Sequence, residues 1–193
     1  LSIISVIASG IQMKQNFGLL DVENLSKDMD KIITQTNYLS QTIDDFRNFI
    51  KTSNDGKIIS IKNTLLKTIS IINSALNTYH INLISSIDDD IMIQGYENEL
   101  IQSFINIINN AKDSINEKNM EDQDKFIFIS SKYIKDDLEV SIKDSGGGIA
   151  PEIINRIFEP YFTTKHQSIG TGIGLSMTYK MITERLNGTI TAE

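Results

Sequence analysis

Apolar residues along this chain recur first at heptad spacing and then at mixed helical and two-residue spacing. Between about Asp21 and Thr52, Leu25, Met29, Ile32, Thr36, Leu39, Ile43, Phe46 and Ile50 follow an unbroken four–three alternation. A spacing of that kind, sustained over more than three repeats, predicts a long helix with a heptad seam. Thr36 is the only polar seam residue, and Asp28, Lys31, Asp44, Arg47 and Lys51 fall on outer positions. Residues 1–17 predict the end of an earlier helix, closed near "NFGLLD", where Gly18 suits a C-terminal cap. The chain is therefore expected to begin inside an element, as an excerpt.

A two-helix hairpin cannot bury both faces by itself. The expectation is a second copy, giving a dimeric four-helix bundle; the alternative is that the hairpin packs on the rest of this chain. "TSNDGK" at 52–57 is rich in turn residues and marks the domain boundary, so residues 1–52 and 57–193 are expected to be separate domains.

Beyond the boundary the pattern mixes strands and helices. "KIISI" predicts a strand and "KNTLLKTISIINSALNTY" an amphipathic helix, while "INLISSI" and "IMIQG" predict a strand pair turned by Asp88–Asp90. A long helix is expected over 97–117, then a hairpin of "KFIFISSKYI" and "LEVSIKDS", a helix at about 172–187 and the start of a strand at "GTITAE". The class is α+β, a mixed sheet with helices on one face. The terminal strand suggests that part of the sheet edge lies outside the sequence.

Charge and composition narrow the partners. The formal net charge is −7, with 25 acidic against 18 basic residues and no basic block, which argues against nucleic acid as the main ligand. There is no cysteine, hence no disulfide framework and no thiolate site. No apolar run approaches the ~20 residues that cross a bilayer, and the first residues lack the basic start of a signal peptide. The methionines read as core filler.

Four short stretches carry candidate chemistry. "GTGIGLSM" is neither a P-loop, since no Lys follows its last glycine, nor a dinucleotide fingerprint, since no strand leads into it. It is expected to open a helix, with the amides of Gly172, Gly174 and Leu175 free either to meet an anion or to cap a tightly packed end. "DSGGGI" ends a strand; Gly146 and Gly148 would let the chain turn and expose Asp144. That carboxylate could accept from an exocyclic amine or simply close an Asx turn. In "LIQSFINIINNAKDSI", Asn106 and Asn110 share a helical face and could bond across the interior or offer oxygens to Mg2+. "NRIFEPYFTTK" sets three aromatics beside Pro160 before a polar "TTKHQS", the make-up of a pinned segment leading into a lid.

Taken in chain order, the four stretches resemble the N, G1, F and G2 boxes of the sensor histidine kinase catalytic domain, within the wider GHKL ATP-binding fold. "NIINNA", "DSGGGI", "IFEPYFTTK" and "GTGIGL" match, over about Lys57 to Glu193. The hairpin resembles the dimerisation and phosphotransfer domain of the same kinases. Its "LSII" start and "TIDDFRNFIK" ending are similar to a subgroup whose acceptor motif reads His-Gln-Trp-Arg-Gln-Pro-Leu. Leu1 would then end that motif, with the acceptor histidine six positions before it.

The resemblance implies a helical hairpin followed by an α/β-sandwich ATP-binding domain of the Bergerat type. It implies Asp144 on the adenine amine, with Gly146, Gly148 and Ile149 shaping that pocket. It implies Asn110 on Mg2+ with Asn106 in support, and Gly170, Thr171, Gly172, Gly174 and Leu175 around the phosphates of ATP. Lys165 and Arg156 would offset charge on the γ-phosphate. It further implies a homodimer, a response-regulator receiver domain as partner, and a cytoplasmic location reaching a membrane only through upstream segments. Relatives that hydrolyse ATP, such as MutL, place a glutamate one turn before the metal-binding Asn. Here that position is Asn106, which cannot act as a base, so hydrolysis is expected to be very slow. The rival expectations are a GHKL ATPase or serine-directed kinase and a dimeric scaffold without nucleotide. His80 in "NTYHINL" reads as structural, His166 as a solvated lid residue, and Asp88–Asp90 as a solvated turn.

Overall fold

The computed structural model describes residues 2–50, 56–88, 91–118, 120–134, 137–165 and 170–193, and not the side chains of Ser2, Tyr38, Gln41, Thr42 and 44–50. Leu1, most of the 52–57 boundary, Asp89, Asp90 and His166 lie outside the described residues, as do the seam side chains Phe46 and Ile50. The chain forms two compact units, one of residues 1–51 with 161–173 and one of residues 52–160 with 174–193.

In the first unit, α1 (Ser2–Asn16) and α2 (Val22–Ile50) form the hairpin. Gly18 closes α1 at φ +68°, its amide donating to Gln15 O at 3.1 Å while Leu19 N reaches Lys14 O at 2.9 Å. That is a Schellman end, which favours a residue without a Cβ. Asp21 starts α2, its Oδ2 accepting from Asn24 N at 3.2 Å.

The heptad seam divides. Leu25, Ile32 and Leu39 are half-buried, whereas Met29, Thr36 and Ile43 are exposed together with Ile3, Val6, Met13, Phe17, Val22 and Ile33. Asp28, expected on the outside, instead accepts from Lys14 Nζ across the hairpin at 2.9 Å. The apolar surface of two helices is wider than one contact stripe between them can cover, which leaves the second stripe open.

In the second unit, Ser60 ends β1 (Lys57–Ser60) and caps α3 (Ile61–Thr78), its Oγ accepting from Asn63 N at 3.1 Å. β2 (Asn82–Ile87), β3 (Met92–Gly95), α4 (Glu97–Asn116), β4 (Phe126–Ile134) and β5 (Asp137–Asp144) follow. Leu65, Ile72 and Leu76 of α3 and Leu100, Phe104, Ile108 and Ile115 of α4 pack with Ile127 and Ile129 of β4 in one core. Fully burying each such side chain contributes roughly 1.5–3 kcal/mol.

The expected β2–β3 pair does not form. β3 pairs antiparallel with β1, and β2 pairs parallel with β4, which pairs antiparallel with β5. The link between β2 and β3 carries no Gly for a tight hairpin turn, while α4 supplies the long crossover that a parallel pair requires. The expected helix at 172–187 is α5 (Gly174–Lys180) continued by a π-helical turn, Met181–Arg185. The stretch "GTITAE" forms no strand, because none of the described residues pairs with it. Met181 is buried, but Met13, Met29 and Met92 are exposed, against the expectation of core filler.

Candidate nucleotide site

Asp144 is the last residue of β5 and pairs in register with Ile127, whose side chain is in the core. The alternation of the strand therefore sets it on the helix-facing side of the sheet, where it is nonetheless exposed at the sheet's end. Its Oδ1 accepts from Gly146 N at 2.7 Å. The Asx turn is thus present, and it fixes the orientation of the carboxylate.

Of the two glycines expected to turn the chain, Gly148 does so and Gly146 does not. Gly147 and Gly148 take positive φ, +85° and +81°, whereas Gly146 is confined by packing. A Cβ on Gly146 would collide with Ser114 Oγ and come within 2.7 Å of Ser114 Cβ. A Cβ on Gly147 would strike Lys118 Nζ, and one on Gly148 would meet open space. Gly147, Ser114 and Lys118 were not singled out in the sequence. The unbroken "GGG" marked the first; nothing local marked the other two.

Helix α4 organises the second part. Asn106, Asn110 and Ser114 are spaced four apart, which stacks them along one face at about 6 Å intervals. Asn106 accepts from Gln102 Nε2 at 3.2 Å and donates from Nδ2 to Gly174 O at 3.3 Å. Ser114 Oγ donates to Gly146 O at 3.3 Å. The face therefore touches the start of α5 at one end and the glycine turn after β5 at the other, with half-buried Asn110 between them. Among the described residues no cluster of three or more His, Cys, Asp or Glu could hold a metal ion. Asn110 offers a neutral oxygen, and Mg2+ accepts that donor when phosphates and water complete its shell.

The glycine loop has its own geometry. Gly170 packs under Thr163 and Lys165, where a Cβ would stand 2.6 Å from Thr163 Oγ1. Thr163 Oγ1 also accepts from Lys165 N at 3.1 Å, and Thr171 Oγ1 accepts from Ile173 N at 3.3 Å. Gly172, at φ +65°, has its own carbonyl bound by Tyr161 N at 2.9 Å. Tyr161 also sits at positive φ, +66°, and is 77% exposed. Of the three aromatics expected to pin this stretch, Phe158 does so, its ring centroid 5.4 Å from that of Tyr179. Tyr161 does not. Gly174 and Leu175 open α5, so the glycines before them precede the helix instead of lying in it. Ile149 is half-buried, and Arg156 pairs with Glu159 at 3.2 Å.

Residues 95–193 match the family of histidine kinase-, DNA gyrase B-, and HSP90-like ATPases. The chain belongs to this family. Sporulation kinase A of Bacillus subtilis (strain 168) is 39% identical over 94 residues, 49% of this chain and 14% of that protein. Sporulation kinase E of the same organism is 36% identical over 119 residues, 61% of this chain and 15% of that protein. The chain thus spans about a seventh of the length of these relatives. Among solved structures, the catalytic domain of histidine kinase ThkA is similar at TM-score 0.58 and 26% identity, over 68% of this chain and 82% of that one. ThkA in a complex with response regulator protein TrrA reaches TM-score 0.65 at 23% identity, over 95% of this chain and 51% of that one. This is the ATP-binding fold of the family, in a chain homologous to sensor histidine kinases. No helix among the described residues is long and apolar enough to cross a membrane.

Proposed function

We propose that this chain is the Mg-ATP-binding core of a sensor histidine kinase, presented on a dimerising hairpin. The observation that carries the proposal is the aligned face of α4, on which Asn110 lies between the tie of Asn106 to Gly174 and the tie of Ser114 to Gly146. Asp144 takes the exocyclic amine of adenine, with Gly146, Gly148 and Ile149 forming its surround. Gly170, Thr171, Gly172, Gly174 and Leu175 are assigned to the phosphates, with Lys165 answering charge at the γ-phosphate.

Asn110 would hold Mg2+, which when bound neutralises phosphate charge. Oriented backbone amides and this amide oxygen supply local attraction that the net charge of −7 does not. The reaction is in-line transfer. An imidazole nitrogen forms the N–P bond and loses its proton, the bond from the γ-phosphorus to the β–γ bridging oxygen breaks, and ADP leaves. The acceptor is the histidine placed by resemblance ahead of Leu1, and the onward acceptor is an aspartate of a response-regulator receiver domain. The hairpin dimerises through the exposed stripe of Ile3, Val6, Met13, Val22, Met29 and Ile33.

Titration with a fluorescent ATP analogue tests the reading. Binding that requires Mg2+ and weakens at least about tenfold in Asp144→Asn is expected, since hydrogen bonds to charged groups contribute roughly 1.5–3 kcal/mol. A chain that binds no nucleotide with Mg2+ present is a scaffold, and the proposal fails.

A further inference from the structure

Two ties hold the short segment after Gly174 against α4, and only the first uses a residue assigned above. At the near end Asn106 reaches Gly174 O. At the far end, the π-helical turn Met181–Arg185 brings Arg185 onto the first turn of α4. A π turn holds more residues than an α turn and so re-aims the side chain at its end. Here Leu186 N donates to Met181 O at 3.2 Å, five residues back. The Arg185 guanidinium lies 3.7 Å above the ring of Tyr96, the N-cap residue of α4. Its Nη1 stands 3.3 Å from Glu99 Oε1.

This is not an ordinary surface pair. Only 23% of the Arg185 side chain and 18% of the Glu99 side chain are exposed, and Glu99 Oε1 is sealed from solvent. Stacking on an aromatic face while facing a carboxylate restricts a planar guanidinium in both tilt and position, which an ammonium cannot match. Glu99 and Asn106 are seven residues apart on α4, two turns and about 10 Å along the same face. The two ties therefore fix both the position and the angle at which the chain leaves Gly174, the last glycine of the loop assigned to the phosphates.

We infer that Arg185 and Glu99 are positioning residues for the phosphate side of the nucleotide site, acting through α5 on Gly174. The inference rests on the nucleotide reading proposed above. It sets these two apart from residues that merely stabilise the fold, because the pair lies at the first turn of α4 and the end of the π turn, whereas the base side is built on β5 and the C-terminal half of α4.

The experiment uses the whole chain with Mg2+ and two probes, the methylanthraniloyl derivatives of ATP and AMP. Arg185→Met should weaken the ATP derivative roughly five- to twentyfold and leave the AMP derivative within about twofold, the scale of coupling between contacting residues. Glu99→Gln, close to isosteric, should do the same, and it serves alone if Arg185→Met does not fold. The double variant should be no weaker than the worse single one. Equal losses for both probes would assign the pair a purely structural role and overturn the inference, as would unchanged binding of the ATP derivative. A wild-type chain that binds neither probe overturns the nucleotide reading itself, which separates the two failures.

Discussion

Asn106 and Gly174 are joined by a hydrogen bond of 3.3 Å from the amide Nδ2 to the backbone carbonyl, while Gln102 holds the other end of that amide at 3.2 Å. One end of the side chain therefore fixes the start of α5 and the other is held within α4, and a neutral amide cannot serve as a base toward water. Steady-state phosphate release from ATP should stay near background. Asn106→Asp supplies a carboxylate but points an oxygen at the Gly174 carbonyl. It should cost about 1–3 kcal/mol of stability and weaken ATP binding without creating a hydrolase. Coupled phosphate release and thermal melts check both parts. An appreciable wild-type release that survives purification and vanishes in Asp144→Asn would contradict them.

The glycines of the two loops separate by cause. Gly146→Ala forces a Cβ into Ser114 and within 2.7 Å of Asp144 Oδ1, so the Asx turn must move and ATP affinity should fall at least about tenfold. Ser114→Gly in the same chain should restore part of that loss by removing the nearest obstacle. Gly148→Ala meets open space but holds φ +81°, and should cost about 1 kcal/mol of stability with a smaller loss of affinity than Gly146→Ala. Melts and anisotropy titrations on the single and double variants read the difference.

The sequence pattern specified the hairpin, both long helices of the second unit and the β4–β5 pair, because those elements depend on periodicity within one segment. Strand partnership was not legible: Leu83 and Ile93 look alike as alternating apolar positions, and only the crossover through α4 decides which strand each joins. The same limit applied to the site. Asp144, Asn106 and Asn110 stood out by type and spacing, whereas Ser114, Lys118, Glu99 and Arg185 gain their meaning only from residues far away in the chain. The π turn, which no composition signalled, is what brings Arg185 to Glu99.

His80 has φ +55°, and its amide donates to Asn77 O at 3.1 Å while Ile81 N reaches Leu76 O at 3.0 Å. The residue closes α3 in a Schellman end, a position that glycine fills without strain. His80→Gly should leave stability unchanged or raise it by up to about 1 kcal/mol. Nucleotide binding should stay as in the wild type. A loss of Mg-ATP binding in this variant would mean that the imidazole itself contacts the ligand, against its structural assignment.

The open stripe of the hairpin predicts an assembly. Ile3, Val6 and Met13 on α1, Phe17 just after it, and Val22, Met29 and Ile33 on α2 are all exposed. Covering such a stripe with its own copy buries apolar area worth about 25 cal/mol per Å2. Light scattering behind size exclusion should give the mass of two chains. The double variant Val6→Asp with Met29→Asp should run as one chain while retaining ATP binding. A monomeric wild type would remove the dimer from the proposal.

Within the hairpin, Asp28 is held by Lys14 Nζ at 2.9 Å and more loosely by Lys31 Nζ at 3.4 Å. The Lys14 hydrogen bond is the main cause that holds the Asp28 carboxyl below its ordinary 3.8, against a smaller opposing effect of desolvation. A carboxyl with a lowered folded value binds its proton less readily than in the unfolded chain. Its contribution is therefore complete above about pH 4 and is lost as pH falls through the lowered value. Asp122, lowered chiefly by its bond to Lys125, acts in the same direction in the second unit, so a global acid melt mixes the two. Carbon-detected NMR titration of the Asp28 carboxyl resolves them. Lys14→Met should raise its midpoint toward the ordinary value and leave that of Asp122 in place; an unmoved Asp28 midpoint would show that the cross-hairpin bond does not persist in solution.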